Sequence, residues 1–154
     1  MTTPEPWENL VAAEHAYIVR RMELFAGDLE QQLRLALASP RGRGAALRVL
    51  RDAAPELITA LSDELVVSAT TTHSQVGLAR EILGRLDPAE LEAILTEPVA
   101  ALLDRTDASW EDYRRFTELL AAVAQTALLA RLVERAAQSD DPDIAEVAED
   151  FGVG

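Results

Sequence analysis

The sequence contains no cysteine. That excludes a disulfide scaffold, a thiolate metal site, a cysteine nucleophile and a thiol redox switch. It also contains no lysine: all 14 basic residues are arginine. A lysine Schiff base and a P-loop lysine are therefore excluded. The missing lysines have two readings. One is codon bias in a GC-rich genome, in keeping with the abundance of Ala and Leu. The other is selection of Arg as a contact residue. Aromatics are scarce, at 5%, so any core must be aliphatic. No run approaches the ~18 uninterrupted apolar residues of a membrane span. Met1 to Glu8 has no basic start of the kind a signal peptide needs. The expectation is a soluble, cytoplasmic protein.

What is present points to a packed helical chain. The 154 residues fit one domain or a short array of repeats, and 49% of them are hydrophobic, enough to bury a core. The net charge is −13, from 27 acidic and 14 basic residues. Up to Gly77 there are 10 acids and 7 arginines, or −3; beyond it there are 17 acids and 7 arginines, or −10. Such acidity argues against nucleic acid, whose phosphates it would repel. It allows a basic protein partner, though acidic surfaces also serve solubility alone.

Strand alternation is absent and apolar residues recur at helical spacing. A first helix is expected from Pro6 to Ala26. Trp7, Val11, Ile18, Met22 and Phe25 form one stripe and Leu10, Tyr17 and Leu24 a second, which predicts a wide buried face. Asp28 caps a second helix, Leu29 to Ala38. A loop over Ser39 to Gly44 precedes a short helix carrying Ala46, Val49, Leu50 and Ala53. Pro55 opens a helix that runs to Ala69. After Thr70 to Ser74 come Val76, Ala79, Leu83 and Leu86. Asp87 and Pro88 start the next helix, which Pro98 is expected to kink or split. Ser109 and Asp112 form a capping box ahead of Tyr113, Phe116, Leu120 and Val123. A break near Gln125 separates these from Leu128, Leu129, Leu132 and Val133. Asp140, Asp141, Pro142 and Asp143 then announce a last helix with Ile144, Val147 and Phe151.

Four of these helices end alike, on Leu50, Leu83, Leu120 and Phe151. Val76, Tyr113 and Ile144 lie seven residues before three of those ends, and Ala79, Phe116 and Val147 lie four before. A second helix follows each of the first three. The unit is helix, turn, helix at a period near 34. A single amphipathic pair cannot cover itself, so stacked pairs would share one core. The stretches SDDPDIAEVAEDF, Ser139 to Phe151, and TDASWEDYRRFTELL, Thr106 to Leu120, are similar to the first helix of HEAT repeats. The resemblance covers Gly44 to Phe151. It departs from the pattern at Ala145, Gly77 and Leu78. It implies an all-α, HEAT-like α-α superhelix of about four helical pairs with a long N-terminal capping helix. In that reading residues 1–42 form the cap and residues 43–154 the repeats, within one domain. The competing reading is an irregular helical bundle.

No catalytic constellation is apparent, and no cofactor or metal site is expected. His15 and His73 are the two histidines. Neither has a carboxylate three residues earlier, as a helical metal pair would need. His15 lies between Val11 and Ile18, which predicts a satisfied or partly buried ring. His73 is expected to be solvated or part of a cap. Arg41 and Arg43, with Arg34, Arg48 and Arg51, form the one basic cluster, readable as an anion site or as a solvated turn.

By its resemblance and architecture the chain is expected to be a non-catalytic protein-binding module that favours a basic partner. The concave face would carry the contacts, through Asp63, Glu64, Glu92, Arg131, Glu134 and Arg135, with Trp110 as a hot-spot candidate. A narrower form is an immunity or inhibitor protein that neutralises a basic toxin or enzyme. A different class is a small helical enzyme or ligand-binding protein with a pocket around His15, Glu14 and Tyr17. A third is a scaffold that self-associates through its last, incomplete repeat.

Overall fold

The computed structural model describes residues 4–152. Among these the chain forms ten α-helices and no strand. They are α1 (Pro6–Ala26), α2 (Leu29–Ala38), α3 (Arg43–Leu50), α4 (Pro55–Ala60), α5 (Ser62–Thr70), α6 (Val76–Leu83), α7 (Pro88–Asp104), α8 (Trp110–Ala122), α9 (Thr126–Ala137) and α10 (Pro142–Phe151). None of them is long and apolar enough to cross a membrane.

Local side chains set the starts of α2, α7, α8 and α10. Asp28 accepts the Gln31 N–H at 3.1 Å and Asp87 accepts that of Ala89 at 3.0 Å. Asp141 accepts the Asp143 N–H at 2.9 Å. Ser109 and Asp112 form a reciprocal box: Ser109 N–H donates to the Asp112 carboxylate at 2.9 Å, and Asp112 N–H donates to the Ser109 hydroxyl at 3.2 Å. Each cap satisfies amide donors that the first turn leaves open.

Two expectations about continuity are corrected. The helix expected from Pro55 to Ala69 is broken at Leu61, whose φ and ψ are −109° and 18°. Just before the break the Thr59 hydroxyl lies 3.0 Å from the Pro55 carbonyl and 2.7 Å from the Glu90 carboxylate. Conversely, α7 runs unbroken through Pro98. Leu91, Leu95, Val99 and Leu102 are buried on one face that spans the proline. Burial of about 1.5–3 kcal/mol per such side chain outweighs the ~3 kcal/mol that an interior proline costs.

The core is aliphatic, as composition requires. Leu47, Leu50, Ile58, Leu61, Leu65, Ile82, Leu83, Leu95, Leu119 and Leu120 are inaccessible to solvent. Of the aligned repeat positions, Ala79 and Val147 are buried and Phe116 packs half-buried against the core. Helices α3, α6, α8 and α10 contact one another in that order. Helix α5 lies against α6 and α8, while α9 lies against α7, α8 and α10. Helix α2 packs on α3 and α5 through Leu33 and Leu37. At the tight α2–α3 corner a Cβ on Gly42 would meet the Ala36 backbone at 2.8 Å, so only glycine fits.

The expected buried face of α1 is not found. No residue of α1 is buried, and every residue from Pro4 to Arg20 is exposed. Trp7 is 64% exposed and Met22 67%. Only near its C-terminal end does the helix meet the body, where Leu24 packs half-buried against the core. Side chains of α2, not α1, cover α3 and α5.

Candidate functional site

A concave surface lies beside Trp110. The Ser109–Asp112 box fixes the first turn of α8 and so places Trp110 at its first position. The indole is 41% exposed. An open groove of about 320 Å³ runs from it between α8 and the α5–α6 corner. Thr71, Thr72, Val76 and Arg80 form one wall, and Trp110, Glu111, Arg114, Arg115 and Glu118 form the other. His73 holds the corner: its Nε2 lies 2.7 Å from the Ser68 carbonyl, and its Nδ1 accepts the Gln75 N–H at 3.1 Å. This histidine is a cap, one of the two roles expected for it.

A chain of charges stitches the groove floor. Arg80 donates to the Ala69 carbonyl at 3.1 Å and pairs with Glu118 at 3.0 Å. Arg114 faces Glu118 at 3.6 Å and pairs with Asp150 at 2.9 Å. Its guanidinium also lies over the Phe151 ring, 5.9 Å from the centroid. Side chains of α6, α8 and α10 are thereby linked through alternating signs. Asp150, an acid at the unfavourable end of α10, thus has a partner within the chain.

On its other side Trp110 borders a smaller depression of about 190 Å³, shared with Arg114, Asp143 and Glu146. Asp143 and Glu146 are exposed and have no cation within ion-pair distance among the described residues. Because Arg114 is already matched by Asp150 and Glu118, this depression presents an aromatic face beside two free carboxylates.

The other residues expected to bind a partner are dispersed. Arg131, Glu134 and Arg135 are exposed on α9 and share a shallow depression with Leu103 and Gln138. Glu64 is half-buried on α5 and bonds Arg34. Asp63 and Glu92 are exposed on α5 and α7 and line neither the Trp110 groove nor the α9 depression. The structure therefore joins three of the seven, and sets Trp110 at a separate place.

The basic cluster is largely consumed by the fold. Arg34 bonds Glu30, Glu64 and the Ala60 carbonyl, and the hydrogen bonds to Glu30 and then Glu64 hold its guanidinium above its ordinary pKa. Arg43 donates to the Leu37 carbonyl at 3.4 Å, and Arg51 faces Asp52 at 3.8 Å. Arg41 and Arg48 remain exposed. Elsewhere the hydrogen bond from Arg105 lowers the Asp107 carboxyl below its ordinary value, and the same bond raises Arg105.

His15 is exposed, correcting the expectation of a satisfied or partly buried ring. Periodicity set it beside an apolar stripe, but no other helix covers that stripe. Glu14 and Tyr17 border a shallow, open hollow with Leu10, Ala13 and Ile18, all from α1 alone. No group of three or more metal-ligating side chains occurs among the described residues.

The groove-lining Thr71, Thr72, Val76, Arg80 and Glu118 went unrecognised in the sequence, where Asp143 and Glu146 stand out as part of an acidic run but not as neighbours of Trp110. Their signal is tertiary, since they come from four segments brought together only by packing. The chain matches no protein-family model, no curated protein and no solved structure.

Proposed function

We propose that the chain is a non-catalytic protein-binding module, a short HEAT-like array of helical pairs that engages a basic partner. The successive contacts of α3, α6, α8 and α10 support the array reading. The observation that carries the function is the placement of Trp110 between the groove and the free carboxylates Asp143 and Glu146. A partner Arg or Lys could stack its cation on the indole while a carboxylate neutralises it. The surrounding acid excess would speed the encounter and make it sensitive to salt. Exposed Trp is the residue type most often dominant in interfaces. The contact surface in this reading centres on α8 and α10, with Arg131, Glu134 and Arg135 on α9 as a second patch.

Calorimetric titration with an arginine-rich peptide and a glutamate-rich control tests the reading. Binding of the basic peptide alone is expected, weakening steeply with salt. It should fall by about tenfold or more in Trp110→Ala. The double change Asp143→Asn, Glu146→Gln should reduce it as well. Absence of binding, or binding that none of these changes alters, would sink the proposal.

A further inference from the structure

Helix α1 is an amphipathic helix whose apolar face is covered by nothing among the described residues. Most helices of this length are held by packing of that face. Here Trp7, Leu10, Val11, Tyr17, Ile18, Met22 and Phe25 are each half-exposed or more. Together they display on the order of 800 Å² of apolar surface, the amount each partner contributes to a standard stable interface. A patch of that size marks a contact surface.

The charges on this face identify what covers it. Successive helical residues turn by 100°, so Leu10, Tyr17 and Leu24 form one row and Trp7, Val11, Ile18, Met22 and Phe25 the adjoining one. The two residues that fall on the line between these rows are Glu14 and Arg21. They are opposite in sign, and two helical turns, roughly 10 Å of rise, separate them. Glu14 has no ion pair among the described residues, and Arg21 lies over the Phe25 ring of its own helix at 5.4 Å. A face with one acid and one base along its midline complements itself when the second helix runs the other way.

We propose that α1 pairs with α1 of a second copy of this chain, antiparallel, about a two-fold axis passing between Tyr17 and Ile18. In that register Glu14 of each copy meets Arg21 of the other, so both midline charges are matched. Each row faces its own copy: Leu10 faces Leu24, Val11 faces Phe25, and Tyr17 and Ile18 each face their counterparts across the axis, all apolar against apolar. A parallel pair would set Glu14 against Glu14 and Arg21 against Arg21, which like-charge repulsion opposes. The doublets Leu10-Val11, Tyr17-Ile18 and Leu24-Phe25 recur every seven residues, the repeat on which paired helices interlock. The charge pairs fix direction and register more than they add affinity. Leu24 already packs against the core, so the interface continues into the body at each end.

Sedimentation of the full chain over a concentration series tests this, with dimer expected. A chain that stays monomeric to several hundred micromolar overturns the proposal. Ile18→Glu should yield monomer with the thermal unfolding of the body unchanged, since Ile18 is exposed and is not among the residues of α1 that pack on the core. A dimer that survives it lies elsewhere and equally overturns the proposal. Glu14→Arg alone, or Arg21→Glu alone, should weaken the dimer on the order of tenfold to a hundredfold by setting like charges together. Combining both changes in one chain, or mixing the two single variants, should restore it; failure to restore it overturns the charge pairing. Because the chain has no cysteine, Ile18→Cys reports direction. It should oxidise readily to a covalent dimer at the axis, while Val11→Cys should not, its two copies lying roughly 20 Å apart. Ready cross-linking of Val11→Cys means parallel pairing and rejects this arrangement. The result is independent of peptide binding: Trp110→Ala should leave the dimer intact, and Ile18→Glu should leave peptide affinity intact.

Discussion

Gln125 donates its side-chain amide to the Pro88 carbonyl at 2.9 Å, across 37 residues of sequence. Only 7% of Gln125 is exposed. This one bond ties the α8–α9 corner to the first turn of α7. Removing a buried donor leaves its acceptor short of a partner and opens a void. Gln125→Ala should therefore lower stability by about 1–3 kcal/mol. Gln125→Met, which keeps the volume and loses only the bond, should cost less. Urea unfolding monitored by circular dichroism gives both numbers; equal losses would show that the bond alone matters here, and no loss in Gln125→Met that packing alone does.

The residue before it has the opposite prospect. Ala124 is the one non-glycine residue with positive φ among the described residues, at 56°. A Cβ in the left-handed region costs about 1–2 kcal/mol, part of which glycine returns through its freer unfolded chain. Ala124→Gly should raise stability by about 0.5–1 kcal/mol, seen as an upward shift of the urea midpoint with unchanged slope.

These corners show where sequence reasoning reaches and where it stops. The starts of α2, α7, α8 and α10 were legible because a cap is a local event: Asp28, Asp87, Ser109 and Asp141 bond amides two or three residues away. The break near Gln125 was legible from the change of apolar phase. Leu61 was not, because nothing in its own residue type announces a break. At Pro98 the split alternative fails, since α7 is one helix and the neighbours Leu95 and Val99 are buried. On α1 the apolar rows were correctly seen and wrongly covered. Periodicity states that a face seeks cover, not which chain provides it. The site around Trp110 was legible in one residue only, because Arg80, Asp143 and Glu146 join it through tertiary packing.

Arg85 closes the end of α3. Its guanidinium donates to the carbonyls of Leu50, Arg51 and Ala53, at 3.3, 2.7 and 2.9 Å. The Leu50 carbonyl is in the last turn of α3, at the negative end of the helix dipole, and also accepts the Ala53 N–H at 3.1 Å; the Arg51 and Ala53 carbonyls lie just beyond the helix end. Arg85→Met should lower stability by about 1–2 kcal/mol, the partial exposure of the site limiting the loss. Arg85→Lys should recover less than half, because an ammonium cannot span three acceptors as the planar fork does. Thermal unfolding of the three proteins in one buffer is sufficient. Full recovery by lysine would mean that charge at the helix end, not the bonding fork, holds the corner.

Glu149 and Asp150 make a final contrast within one turn of α10. Both place negative charge at the helix C-terminus, where the dipole disfavours it. Asp150 is compensated by Arg114 at 2.9 Å, whereas Glu149 is exposed and has no cation in range among the described residues. Glu149→Gln should therefore raise stability by about 0.3–0.5 kcal/mol at low salt. Asp150→Asn should lower it by about 0.2–1 kcal/mol, the range of partly exposed ion pairs. The same chemical change, one residue apart, thus has opposite signs. Raising the ionic strength should shrink both effects, since each is a surface interaction within reach of screening. If Asp150→Asn proved stabilising as well, the dipole would outweigh the ion pair, and the charge chain through Arg114 and Glu118 would not hold α10 to α8.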